Sequence, residues 1–341
     1  MKKRVYYFDV LNVLACFSVI ALHHNGGGVW NFSNSWNWKT CLVVECFAYW
    51  AVPVFLMLSG ANLLNYRNKY STRIFFEKRF VRTVIPWLFW SISVLIWKAS
   101  TGQIILESHS MLYPIELLLT NKIENVYWFF PVLFGIYLSI PILAPLVKYR
   151  NLLWYMVIMS FLCMGTLPII SVLIGINISL SVPVISGLII FPILGYLLST
   201  VDLKRKYRII LYVAGFGATL FRYVYTYIMS YRLGSTDTSI KGYEKFYSVL
   251  LSAAVFVFIK EIPWDRLLSE SARKILSTMS SCSFGIYLIH MIVIYYELQI
   301  LPFGRDAWLW RTVFIFVTYF ISLGIVWGLS KIPILKRTVG N

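Results

Sequence analysis

Residues 6–24 read YYFDVLNVLACFSVIALHH. An apolar run of this length crosses hydrocarbon as a single helix, yet this one carries Asp9, Asn12, His23 and His24. Nine further runs follow it, at 42–65, 82–98, 126–147, 152–171, 182–199, 209–229, 246–262, 279–299 and 310–330. Across all 341 residues 59% are hydrophobic and 13% charged, where a soluble chain carries about a quarter charged. The expected fold is therefore an all-α integral membrane protein, a bundle of about ten transmembrane helices. The fifth and sixth runs are separated only by the turn-forming stretch from Gly175 to Ser181, with Gly175, Asn177 and Ser179; losing that break would invert everything after it.

The net charge of +17 does not point to nucleic acid. A nucleic-acid binder gathers its Lys and Arg on one soluble face or helix, whereas here they occupy short loops between apolar runs. With the N-terminus inside, 22 of the 31 Lys and Arg fall in cytoplasmic segments, eight in outer loops, and Arg222 alone within a span. That bias is the one by which membrane proteins are oriented, and it places both termini in the cytoplasm. The basic start followed by an apolar run resembles a signal peptide, but Asp9 and Asn12 interrupt the run and no small-residue cleavage site follows. It is expected to be a retained helix. Cys16, Cys41, Cys46, Cys163 and Cys282 show neither metal nor disulfide spacing. No loop is long enough for an independent domain, so residues 1–341 form one polytopic domain whose solvent is the lipid bilayer.

Ionisable groups inside a span are costly and mark cavities or partners. Asp9 and His23 are separated by about 21 Å of helical rise, so Asp9 is expected near the inner face and the histidines near the outer. The second run returns inward, which puts Glu45 at the depth of His23. A carboxylate there would hold one imidazole tautomer and raise its basicity; water or a headgroup could also satisfy a His at the membrane edge. Arg79 and Arg82, three apart at the inner entrance of the third run, share a helical face. Two guanidiniums there suit a phosphate, although an ordinary positive-inside anchor has the same look. His290 lies mid-span one turn from Tyr287, and Arg222 lies mid-span in the seventh run. Each serves either to line a site or to fix helix to helix by hydrogen bonding. Tyr127-Trp128 and the Trp36–Trp38 pair read as interfacial aromatic belts.

Taken together, these positions resemble the acyltransferase 3 family of membrane acyltransferases. Asp9-Val10-Leu11-Asn12-Val13-Leu14-Ala15 leading to His23 is similar to the opening pattern D-x-L-R-x-x-A with its later His. Pro53, Phe55, Ser59 and Gly60 match P-x-F-x-x-x-S-G; Arg79, Arg82 and Pro86 match R-x-x-R with its Pro. Tyr127-Trp128-Phe129 and the Tyr287/His290 pair match two later motifs. One departure stands out: Asn12 replaces the Arg of the first motif, so that either Arg82 or Arg222 does its task or the coenzyme is handled differently. The resemblance implies transfer of an acyl group, usually acetyl, from acyl-coenzyme A to a hydroxyl of a cell-envelope glycan or lipid-linked sugar. The partners are thus acyl-CoA, that acceptor and the bilayer, with no metal, in a multi-pass protein of the cell membrane. It also implies His23 as the catalytic histidine and the Arg79/Arg82 pair as the coenzyme's anchor. The expected sequence of events has the nucleotide phosphates at Arg79 and Arg82, the pantetheine arm threaded between helices, and His23 as general base oriented by Glu45 or, alternatively, as carrier of the acyl group itself. A glycan exporter without chemistry is the alternative; Pro53 and Pro192 hint at the broken helices of transporters, but no internal repeat accompanies them.

Overall fold

The computed structural model describes residues 4–105, 110, 112–178, 180, 182–302 and 304–340. Every regular element among them is helical. Eight helices are long and apolar enough to cross a membrane: α1 (Tyr6–Trp30), α2 (Trp36–Asn68), α3 (Thr72–Ser100), α4 (Asn125–Lys148), α5 (Arg150–Ile174), α7 (Arg205–Leu233), α9 (Glu270–Ile300) and α10 (Trp308–Lys331). The other two expected spans are shorter, α6 (Gly187–Thr200) and α8 (Phe246–Glu261). At about 1.5 Å per residue they measure roughly 21 and 24 Å, less than a full hydrocarbon core of about 30 Å. The break expected between the fifth and sixth runs is present: α5 ends on Gly175 in the left-handed conformation, φ 69°, while Ser179 and Ser181 lie outside the described residues.

Exposed apolar side chains such as Ile92, Ile142, Val213 and Phe320 clothe the outside. In water such a surface would aggregate; in lipid it is the ordinary exterior. Helix α1 runs through the middle, packed against α2, α8, α9 and α10. It lies alongside α9 in steady register, with Asn12 beside Ser280, Cys16 beside Ser283 and His23 beside His290. Ser280 and Ser283 keep the α9 face towards α1 slim, and small residues let two helices approach closely in lipid. The tightest crossing joins α2 to α6. A Cβ on Gly60 would lie 1.9 Å from the Pro192 carbonyl oxygen, and one on Gly195 2.1 Å from that of Met57.

Polar pairs gather at the two ends of the bundle. One end holds Arg4–Asp9, Lys260–Asp202 and Arg208–Glu261. The other holds Lys98–Glu124 and the Arg311 contacts to Asn37 and Thr40. Arg4 and Gly340 line one cavity, so the two ends of the described chain meet on the same side.

Candidate active site

The register of α1 on α9 creates the central feature. His290 is fully buried, and its Nδ1 lies 2.8 Å from the Tyr287 carbonyl oxygen and 3.2 Å from that of Ile286. A carbonyl only accepts, so Nδ1 carries the proton and Nε2 of the neutral ring carries the lone pair. That lone pair faces His23 Nδ1 at 2.7 Å, and His23 Nδ1–H donates to it. The remaining nitrogen, His23 Nε2, is thereby left as a free base. A chain of two imidazoles ending on a backbone carbonyl thus selects the tautomer that general-base chemistry requires.

Tyr287 supports this chain twice, through the carbonyl just described and through its hydroxyl, which donates to the Val126 carbonyl at the start of α4. Tyr127 returns the contact, donating to the Leu288 carbonyl at 2.9 Å. Tyr127 is therefore a buried strut between α4 and α9, not the interfacial aromatic expected of it. Trp38 likewise is buried and donates to the Val29 carbonyl at 3.0 Å, while Trp36 stays exposed. Trp128 is partly exposed and stacks on Tyr243 at 5.4 Å.

Glu45 is not beside His23. Its carboxylate accepts from Arg222 Nη2 at 3.1 Å and its own backbone carbonyl from Nη1 at 3.2 Å. Arg222 also stands 3.9 Å above the Tyr49 ring. Depth along the membrane normal brought Glu45 level with His23; the azimuth of α2 about its axis, invisible in one dimension, turned it towards α7. A cavity there of about 10 Å³ has room for a single water, not a substrate. The expected His23–Glu45 pair is thus replaced by His23–His290, and Glu45–Arg222 is a buried ion pair that ties α2 to α7.

The arginines also part company. Helix α3 begins at Thr72, ahead of the apolar run, and residues 80–84 form a π-helical turn. Its i→i+5 bonding widens the turn and rotates position i+3 off the face it shares in an α-helix. Arg79 stands over the Tyr137 and Phe75 rings at 5.6 and 6.0 Å. Arg82 lines the cavity at the Arg4 end. Asp9 holds Arg4 through two bonds of 2.6 and 2.8 Å. Asn12 donates to the Ser280 carbonyl and hydroxyl at 2.8 and 3.1 Å, bridging α1 to α9 one residue from Ser281 of that cavity. Arg222, tied to Glu45, lines the small cavity between α2 and α7 and not the one at the Arg4 end. Ser59 donates to the Phe55 carbonyl within its own helix.

A second polar chain lies next to the histidine pair. His24 Nδ1 donates to the Trp310 carbonyl at 3.0 Å; its Nε2 is 2.8 Å from Thr318 Oγ1, which is 2.6 Å from Glu297 Oε2. Thr318 has one proton for two neighbours, so His24 or Glu297 supplies the other. Sequence reasoning passed over Glu297. Its signal was available: a carboxylate inside an apolar run, seven residues after His290 and hence on the same helical face. Among the described residues no group of three or more His, Cys, Asp or Glu is placed to hold a metal ion.

An apolar-sheathed helical bundle with a tautomer-selected histidine inside it describes a polytopic membrane enzyme. The profile of the family Acyl_transf_3, an acyltransferase domain, matches residues 5–327, and the chain belongs to that family of membrane acyltransferases. No curated protein and no solved structure matches it.

Proposed function

We propose that the protein transfers a short acyl group, acetyl in the simplest case, from cytoplasmic acyl-CoA to a hydroxyl of a cell-envelope glycan or lipid-linked sugar across the cell membrane. The observation that carries this reading is the imidazole chain, which leaves His23 Nε2 as the base. His23 removes the acceptor's hydroxyl proton as the oxygen attacks the thioester carbonyl. The tetrahedral intermediate then expels the coenzyme's thiolate, which takes the proton back from His23, giving an ester and a free thiol. His290 acts as a positioning residue that accepts from His23 Nδ1–H and shares the charge of the transient imidazolium. Arg82 faces the end of the bundle expected to be cytoplasmic. From Ser281 beside it to His290 is about 14 Å along α9, a depth that an extended pantetheine arm can span.

Purified protein incubated with acetyl-CoA and an extract of envelope glycans should release free thiol and gain ester-linked acetyl on the glycan. His23→Ala should lower that turnover by about two to four orders of magnitude at unchanged yield of folded protein. Thiol release equal to wild type would remove His23 from the chemistry, and glycan uptake without thioester cleavage would favour the exporter.

A further inference from the structure

The cavity at the Arg4 end measures about 610 Å³ and is lined by four cations, Arg4, Arg82, Lys331 and Lys336, with the hydroxyls of Ser281 and Ser330. Arg4 is neutralised by Asp9. Among the described residues Arg82, Lys331 and Lys336 have no carboxylate partner. A positive-inside bias needs only that such residues lie on one side of the bilayer. It does not require them to converge, and mutual repulsion opposes their doing so.

The convergence is built by a segment beyond the family match, which ends at 327. After α10 the chain folds back into a short 3-10 turn, Lys336–Val339. Trp90 Nε1 donates to the Thr338 carbonyl at 2.9 Å, and Val339 is fully buried. Gly340 has φ 79°, and a Cβ on it would meet the Phe284 ring at 2.6 Å and the Arg82 carbonyl oxygen at 3.2 Å. The strap is thus pinned to α3 and α9, and it delivers Lys336 to the cavity that Arg82 faces.

We infer that Lys331 and Lys336, which lie beyond the matched residues, anchor a ligand bearing more than one phosphate group in this cavity. A nucleotide carrying a diphosphate and a separate 3′-phosphate, as coenzyme A does, supplies charges at several points of such a cavity. The choice of nucleotide rests on the acyl-CoA reading above. A phospholipid headgroup shares the phosphate chemistry but brings fewer charges.

The test is equilibrium binding of coenzyme A and of dephospho-coenzyme A, which lacks the 3′-phosphate, to the full chain in phosphatidylcholine nanodiscs. Lys331→Gln and Lys336→Gln should each raise the Kd for coenzyme A about tenfold, the worth of one charge-assisted contact, with a smaller change for the dephospho form. Arg150→Gln, a charge removed at the same end but bonded to Thr200 away from the cavity, should change it less than twofold. Equal losses in all three variants would mean a diffuse surface potential and would overturn the site, as would no loss in either lysine variant or no binding to wild type. If phosphatidylglycerol nanodiscs abolish coenzyme binding to wild type, the cations serve lipid and the inference also fails. Thioester cleavage with an unchanged KM in both lysine variants would reject the lysine anchors while leaving the acyl transfer standing. Tight, lysine-dependent binding without any thioester cleavage would do the reverse.

Discussion

Two imidazoles in hydrogen-bond contact are an unusual way to orient a base, because neither brings a charge of its own. A carboxylate would stabilise the imidazolium more strongly, but an ionised carboxylate unpaired in this part of the bundle would carry a large desolvation cost. The carbonyl-anchored His290 supplies direction without that cost. His290→Ala should therefore lower turnover by about ten- to a hundredfold, as removal of a ring-orienting partner does elsewhere, without abolishing it as His23→Ala does; kcat measured at saturating acyl-CoA on both variants checks the ranking. Glu45 answers to a different test. Arg222 is 3% exposed and Glu45 8%, so Glu45→Ala strands a guanidinium in the bundle and should cost about 3–5 kcal/mol of stability. Thermal unfolding in detergent would record that loss, and a fold of normal stability with lost activity would restore Glu45 to the chemistry.

At the scale of elements, the α2–α6 crossing decides how far the helices can close. Pro53 lacks the N–H that would bond to Tyr49, and α2 breaks into Trp36–Phe47 and Ala51–Leu63 at that point. The second piece then meets α6 backbone to backbone at Gly60 and Gly195. Gly60→Ala should destabilise the protein by about 1–3 kcal/mol or more, since the added methyl meets a carbonyl and not a flexible side chain; a lower midpoint of thermal unfolding than wild type is the expected readout. The two short helices follow from the same economy of space. Helix α8 buries most of its length, with Tyr247, Ser248, Leu251, Ser252 and Phe256 all hidden. A helix surrounded by protein need not match the thickness of the lipid.

For the whole molecule, the alternation of ends makes a claim about sidedness. All five native cysteines are buried, which leaves a low background for labelling introduced ones. A cysteine at Lys122 should react with a membrane-impermeant maleimide in intact cells. One at Lys148 should react only after the membrane is opened, and the reverse pattern would invert the topology and the proposed direction of transfer.

The apolar run lengths, the basic bias and the stray polar residues were enough to read a helical membrane bundle and to nominate His23, Asn12, Arg82, Tyr287 and His290 as candidates. Those features are written in one dimension: length sets what spans lipid, and charge sets which side it faces. Partnership is not written there. Depth placed Glu45 level with His23, yet the rotation of α2 gave it to Arg222. A regular three-residue spacing put Arg79 with Arg82, yet a π turn separated them. His23 and His290, 267 residues apart, met only because small residues on α9 let α1 settle beside it in a single register. Rotation about helix axes and the register between helices come from side-chain packing among distant segments, and they alone decided which nitrogen of His23 is free.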